Sequence, residues 1–258
     1  MKKFFAAAML LVPTMLFAQS PFDGTWKTDL DKAKFSPKPI VFSVKGGMYD
    51  CSSCSPKINV KADGTDQPVT GQSYDTISVK EVDPHTVQFA TKKNGKTVFE
   101  QTRTASDDGK TLKVKTTSYP PDGSKPITTE STLEREGKSA TGLNAISGSW
   151  KLTKANESDN GLLQTFKGSG NEMSMTEPTG TNWTAKFDGK DSPVKGSYGS
   201  DSVSLKQIND RTIEVSYKRG GKLIEVDKMT VSADGKTMTT VSESKLTGRV
   251  STFESTKQ

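Results

Sequence analysis

The sequence predicts an all-β protein made of two tandem antiparallel up-and-down β-barrels, each of about eight to nine strands. Three observations lead there. A unit repeats: DGTDQPVTGQSYDTISVKEVDPHTVQF from Asp63 returns as DGKDSPVKGSYGSDSVSLKQINDRTIEV from Asp188, and from Asp75 to Leu112 every residue has a partner 126 positions later without a gap. Within each copy, β-branched and apolar residues alternate with polar ones over short runs, as half-buried strands require. The runs are separated by Asp-Gly, Asn-Gly and Gly-Gly turns, with no amphipathic helix to serve as a parallel crossover. A meander of eight or more twisted strands curls closed, which removes its edges. A two-sheet sandwich is the second architecture.

Taken in order, Pro21–Asp29 is a first strand and Leu30–Pro39 a short helical turn or loop, since Pro37 and Pro39 interrupt it. Ile40–Lys45 and Met48–Cys51 flank a Gly46-Gly47 turn, and Lys57–Ala62 alternates before Asp63-Gly64. Pro68-Val69 and Gly71 read as a break between hairpins. Tyr74–Val82 places Ile77 and Val79 on one face; Thr86–Lys92 does the same with Val87 and Phe89. Asn94-Gly95 is the strongest hairpin signal, because both positions tolerate positive φ. Lys96–Ser106, Thr111–Tyr119 and Ile127–Arg135 complete the unit. The second copy repeats the programme from Trp150 to Phe253. There Ile224/Val226 and Met229/Val231 fall on opposite registers, so a bulge is expected between Val226 and Met229. The division that follows is a leader over 1–18, a first barrel over 19–136, a linker over 137–145 rich in Gly, Ser and Thr, and a second barrel over 146–258.

Composition narrows the function classes. Hydrophobic residues make up 31% of the 258, and mean hydropathy is −0.62, as expected for thin-walled β-structure with a wet outer face. Net charge is +6, but Lys2 and Lys3 belong to the leader, and no run of four or more basic residues occurs. Nucleic-acid binding asks for clustered cations or aromatic platforms, and the sequence has neither. MKKFFAAAMLLVPTMLFAQS has a basic start, an apolar run from Phe4 to Phe17 and a small residue at Ala18, the pattern of a secretory signal cleaved after Ala18. The run is too short for a membrane span, so the mature chain is expected to carry no transmembrane segment and to be secreted or periplasmic. In that compartment Cys51 and Cys54 are expected to close a structural disulfide in a turn, with a redox-active or metal-binding pair as alternatives.

The residues also suggest a family. FDGTWK at Phe22–Lys27 and SGSWK at Ser147–Lys151 put Gly-x-Trp on the first strand of each copy, ahead of a strand meander. This resembles the lipocalin and fatty-acid-binding (calycin) superfamily. The resemblance implies barrels whose closed ends are plugged by Trp26 and Trp150, and a small apolar or amphipathic ligand inside. The second lipocalin motif, the C-terminal helix and the helical lid of fatty-acid-binding proteins have no counterpart in the sequence.

No catalytic constellation is visible. His85 sits in the turn DPHT and is Arg211 in the second copy, so a base would rest on a residue that the repeat replaces. Asp63, Asp66 and Asp75 recur as Asp188, Asp191 and Asp201; turn chemistry explains them better than calcium, which wants six or more oxygens. No cofactor or metal site is expected, and the protein is read as non-enzymatic. Candidate ligand contacts are the inward faces: Ile77, Val79, Val87, Phe89 and Arg103 in one lumen, and Val203, Leu205, Val215 and Tyr217 in the other. An inward Arg103 could hold a carboxylate, and Met229 at the matching position would give the halves different ligands. The alternative is a protein-interaction or envelope-structural module with filled barrels, whose partner the sequence does not name.

Overall fold

A computed structural model describes residues 20–138 and 141–258; the leader and its cleavage point lie outside the described residues. The first half forms β1 (Gly24–Lys34), β2 (Ile40–Lys45), β3 (Met48–Cys51), β4 (Ile58–Lys61), β5 (Asp63–Pro68), β6 (Thr76–Asp83), β7 (Thr86–Lys93), β8 (Lys96–Ala105), β9 (Thr111–Ser118) and β10 (Ile127–Glu136). After β11 (Gly148–Glu157) comes one helical turn, α1 (Asp159–Leu162). The second half continues with β12 (Leu163–Ser169), β13 (Glu172–Thr176), β14 (Asn182–Lys186), β15 (Ser192–Lys195), β16 (Ser202–Asn209), β17 (Thr212–Arg219), β18 (Lys222–Val231), β19 (Thr237–Ser244) and β20 (Val250–Lys257).

All strand pairings are antiparallel, and they build two ten-stranded sheets, one a closed barrel and the other nearly closed, with β4 and β5 facing each other across its seam. The tenth strand of each is β5 or β15, where Pro68 and Pro193 suggest a break. Both are weakly paired positions where a missing N–H is tolerated: β5 ladders only with β6, and β15 makes two pairs to each neighbour. The helical turn or loop expected from Leu30 is instead strand as far as Lys34, interrupted by a register shift between Asp29 and Lys34.

The sheet order departs from the sequence order in one place that matters. β1 does not close the first barrel. It lies between β12 and β20 of the second, pairing Trp26 with Gln164 on one side and Lys257 on the other. β11 does the reciprocal thing, lying between β10 and β2 of the first barrel. Each repeat thus gives its Gly-x-Trp strand to the other. The 19–136 and 146–258 segments are repeats of sequence, but each barrel draws one strand from the other segment. The expected linker is correspondingly anchored at its end. Asn144 is buried, its amide donating to the Glu81 carboxylate and the Asp83 carbonyl (2.8 Å each), and Ile146 joins the first core.

The two cores are built alike. Trp26 sits with Phe22, Phe166, Met173 and Met175 in the second; Trp150 sits with Ile146, Phe42 and Tyr49 in the first. Each indole N–H donates 2.7 Å to the carbonyl four residues back, Phe22 or Ile146, so burial leaves no orphan donor. A cation covers each ring: Arg135 at 4.1 Å over Trp150 and Lys257 at 5.2 Å over Trp26. Arg135 also donates to the carbonyls of Ser147 and Ala145 (2.6 Å each) and of Gly109. The glycine two residues before each Trp has positive φ, and a Cβ there would run into Lys257 or Arg135, which is why the motif begins with Gly.

The exchange makes a distinctive prediction. Trp26→Ala should cost about 3–5 kcal/mol, and its methyl chemical-shift changes should fall on Met173, Met175 and Val203 of the second barrel. If they fall on the first barrel around Tyr49 and Val44 instead, β1 does not occupy the place described.

Candidate functional site

The two lumens are made from equivalent positions with different chemistry. In the first, Ile77, Val79, Val87 and Phe89 are all buried, as the alternation predicts, and form the apolar lining of the middle of the barrel. Across from them, β8 directs Gln101 and Arg103 inward: Arg103 pairs with Val87 and Val114, both inner-face positions. Its guanidinium lies 4.4 Å from the Phe42 ring centroid and 4.3 Å from that of Phe89. Nε donates 2.6 Å to the Gln101 side-chain oxygen, and Nη1 donates 3.1 Å to the Tyr49 hydroxyl. Among the described residues no carboxylate is within ion-pair distance of it. Beside it opens a cavity of about 190 Å³ lined by Phe42, Leu112, Val114, Leu133 and Leu152 together with Gln101 and Arg103. Leu152 belongs to the exchanged strand, so the second half of the chain completes the first lumen.

In the second barrel, Val203, Leu205 and Val215 are buried against Met229, Val231 and Met238, so this end is filled. Tyr217 stands one step further along β17, partly covered and facing Glu225. The bulge explains why a carboxylate is there. It falls at Ile224, where the β17–β18 ladder jumps from Tyr217↔Glu225 to Lys218↔Leu223, and not between Val226 and Met229 as expected. From Glu225 onward the strand is regular, so Glu225 and Asp227 share the inner face with Met229 while Val226 points out. One residue of slip moves every side chain to the other face.

Burial pushes the Glu225 carboxyl up to about 7, with the charge of Asp227 adding to the effect. Burial pushes Asp227 up to about 6, opposed by the Ser242 hydroxyl. The Tyr217 phenol is pushed well above its ordinary value, first by burial and then by the charges of Asp227 and Glu177. Asp227 Oδ1 is buried without a hydrogen-bond partner, while the buried Trp183 indole N–H faces the Tyr217 hydroxyl and opposes the rise in its pKa. Glu177, beyond β13, accepts from Gln164 (3.0 Å) and Thr179 (3.1 Å).

The remaining sequence candidates have structural explanations. Cys51 and Cys54 are disulfide-bonded, in the turn after β3. His85 is partly buried, its Nδ1 without a partner, and its backbone N–H donates to Asp83. Asp75 and Asp201 each accept a backbone N–H from a hairpin turn further on, from Asn94 between β7 and β8 and from Gly220 between β17 and β18. Asp66 and Asp191 make equivalent ion pairs with Lys92 and Lys218. Among the described residues no group of three or more His, Cys, Asp or Glu could hold a metal ion, and no helix is long and apolar enough to cross a membrane.

Comparison of the chain with protein families, curated proteins and solved structures found no match.

Sequence reading missed Glu225, Asp227, Trp183, Phe42 and Tyr49. A signal for the acids was present. At the inward positions Phe99 and Gln101 of the first copy, the second copy carries Glu225 and Asp227, and this becomes visible once the bulge is placed at Ile224.

These acids fix a pH dependence. Carboxyls whose folded pKa lies above the ordinary 4.5 of Glu and 3.8 of Asp stabilise the fold most below those values and lose the contribution as pH rises through about 6 and 7. Glu157, raised by burial, acts in the same direction. Asp63, Asp83, Asp108, Asp122 and Asp234 are lowered, so their contribution is lost only as pH falls below 3.8. Each tenfold change in proton affinity between the folded and unfolded chain is worth about 1.4 kcal/mol, so stability should fall by on the order of 3 kcal/mol between pH 4.5 and 7.5. Chemical denaturation at the two pH values checks this. A Glu225→Gln/Asp227→Asn variant should flatten the dependence; an unchanged slope would place the titrating groups elsewhere.

Proposed function

We propose that the protein is a secreted or periplasmic binding protein that holds a small amphipathic ligand inside its barrels, as the calycin-like resemblance implies, and that the first barrel receives the carboxylate of a short apolar acid. The observation that carries this reading is Arg103, a cation facing inward without a carboxylate, beside a cavity lined mostly by apolar side chains. A guanidinium has five N–H donors, and only two are paired. Aromatic faces on Phe42 and Phe89 offset part of the desolvation of the charge, but they do not replace an anion. A carboxylate can accept two parallel N–H donors from such a fork, and an alkyl chain can fill the Leu112–Leu133–Leu152 side. The cavity is smaller than the roughly 300–1,000 Å³ of a drug-sized site, which favours a chain of few carbons.

Calorimetric titration with octanoate and with 1-octanol tests the reading. Octanoate should bind, and Arg103→Met should weaken it by about tenfold or more, the scale of a lost charge-assisted hydrogen bond. Octanol should be little affected. Met already stands at the equivalent position of the second barrel, so the substitution suits the fold. Octanoate affinity that survives Arg103→Met would overturn the reading and favour a filled-barrel interaction module.

A further inference from the structure

The strand exchange creates two equivalent junctions where loops of both barrels meet. At one, the 35–39 connection from β1 to β2 meets the 52–57 loop of the first barrel and the 245–249 turn of the second. At the other, the connection through α1 meets the 177–181 loop of the second barrel and the 119–126 turn of the first. The α1 junction is shut. Asn160 donates 2.9 Å to the Lys125 carbonyl, and Asp122 packs on Gly180 so closely that a Cβ there would strike its carboxylate. Its segments carry acids: Asp122, Asp159 and Glu177.

The other junction is open and basic. It holds a cleft of about 400 Å³, with the 52–57 loop on one wall and Lys38, Leu246, Thr247 and Arg249 on the other. Lys38, Lys57 and Arg249 line it, and no carboxylate does. Among the described residues none of these three cations makes an ion pair. Glu243, near the end of β19, is paired with Lys245 (2.7 Å). The Arg249 guanidinium is partly buried, which lowers its pKa. Nη2 donates 2.7 Å to the Pro39 carbonyl and Nε 3.4 Å to that of Lys38, while Nη1 has no partner among the described residues. The Lys38 ammonium donates to the Thr247 carbonyl. These carbonyls orient the cations without neutralising them, and a cation drawn out of water gains most from an anion.

The facing wall is fixed in place. Ser53 Oγ accepts from the Val41 N–H (2.9 Å), and the Cys51–Cys54 disulfide closes the loop. Cys51 stands opposite Phe42 as Met175 stands opposite Phe166, so the second copy has no cysteine there. The disulfide therefore belongs to the copy whose loop borders the open cleft. Ser55 and the exposed Lys57 add donors to this wall, and Cys54 and Pro56 give it an apolar side.

We infer that this cleft between the barrels is a binding site for a small phosphomonoester, with Arg249, Lys38 and Lys57 receiving the phosphate and Cys54, Pro56 and Leu246 covering its carbon part. Three cations suit an anion of more than one charge. A phosphomonoester carries about −1.5 to −2 near pH 7 on three acceptor oxygens, and a guanidinium fork matches two of them. The cleft has room for an organic part beside the phosphate.

The test is amide NMR titration of the full mature chain with glycerol 3-phosphate, against glycerol and against sodium chloride at matched ionic strength. The ester should give saturable shifts at 52–57 and 246–249, and neither control should. Lys57 is exposed and makes no ion pair, so Lys57→Glu leaves the fold intact. It should weaken the ester about tenfold or more, the scale of a lost charge-assisted hydrogen bond. Lys57→Arg should bind as the unsubstituted protein does. Arg103→Met should leave the ester unaffected, which separates this cleft from the first lumen. No saturable shift at millimolar ester, equal affinity of the Lys57→Glu variant, or the same shifts with chloride would each overturn the inference. Cosedimentation with phosphatidate vesicles without a response to the free ester would overturn it as well, assigning the cations to a membrane surface.

Discussion

The structure depends on where two tryptophans sit. Each lies on the first strand of its repeat, has its N–H satisfied four residues back, and is buried in the core of the barrel belonging to the other repeat. The strand is held by neighbours on both sides: β1 by β12 and β20, β11 by β10 and β2. Neither repeat contains all the strands of a barrel. The cores are separate, but the chain crosses between them at every exchanged strand. Losing one exchanged strand therefore opens the ladder of a barrel and loosens the tether of the other. The two indoles are not held equally: Arg135 ties the Trp150 end to three carbonyls, whereas Lys257 provides a single cation over Trp26.

Much of this architecture was legible because its causes are local. Strand alternation identified Ile77, Val79, Val87, Phe89, Val203, Leu205 and Val215 as inward, and all are buried. Turn chemistry located the hairpins, with Asn94 and Gly95 both at positive φ as the dipeptide requires. The strand exchange was not legible. FDGTWK and SGSWK are so alike that either would fit either barrel, and the choice lies in connections more than a hundred residues apart. The acids were missed for a more instructive reason. Ile224 and Val226 are apolar and two apart, which on pattern alone makes them an inner face. The ladder instead places Ile224 in the bulge and turns Val226 outward. The equivalent step of the first barrel skips Val98 between Phe99 and Thr97, so the irregularity belongs to the repeated fold and not to one copy.

Given the same backbone, the repeats differ where their lumens could meet a ligand. Phe99, Gln101 and Arg103 in one become Glu225, Asp227 and Met229 in the other. A barrel interior is a poor place for an unpaired charge of either sign, because removal from water costs several kcal/mol unless a partner restores it. The first barrel meets part of that cost with Tyr49, Gln101 and two aromatic faces. The second meets less of it, and its acids respond by holding their protons up to about 6 and 7.

That difference has an energetic consequence. Folded domains are stable by only about 5–15 kcal/mol. Two adjacent carboxyls held largely out of water, one with an unpaired oxygen, take a measurable share of such a margin. The first copy shows that the same inner positions accept Phe99 and Gln101 on an equivalent backbone, with Phe99 packed 5.7 Å from Tyr74. A second barrel selected for stability alone could carry those residues. It carries half-buried acids instead, so equivalent inner positions of the two barrels hold side chains of opposite character, a cation in one and two carboxyls in the other.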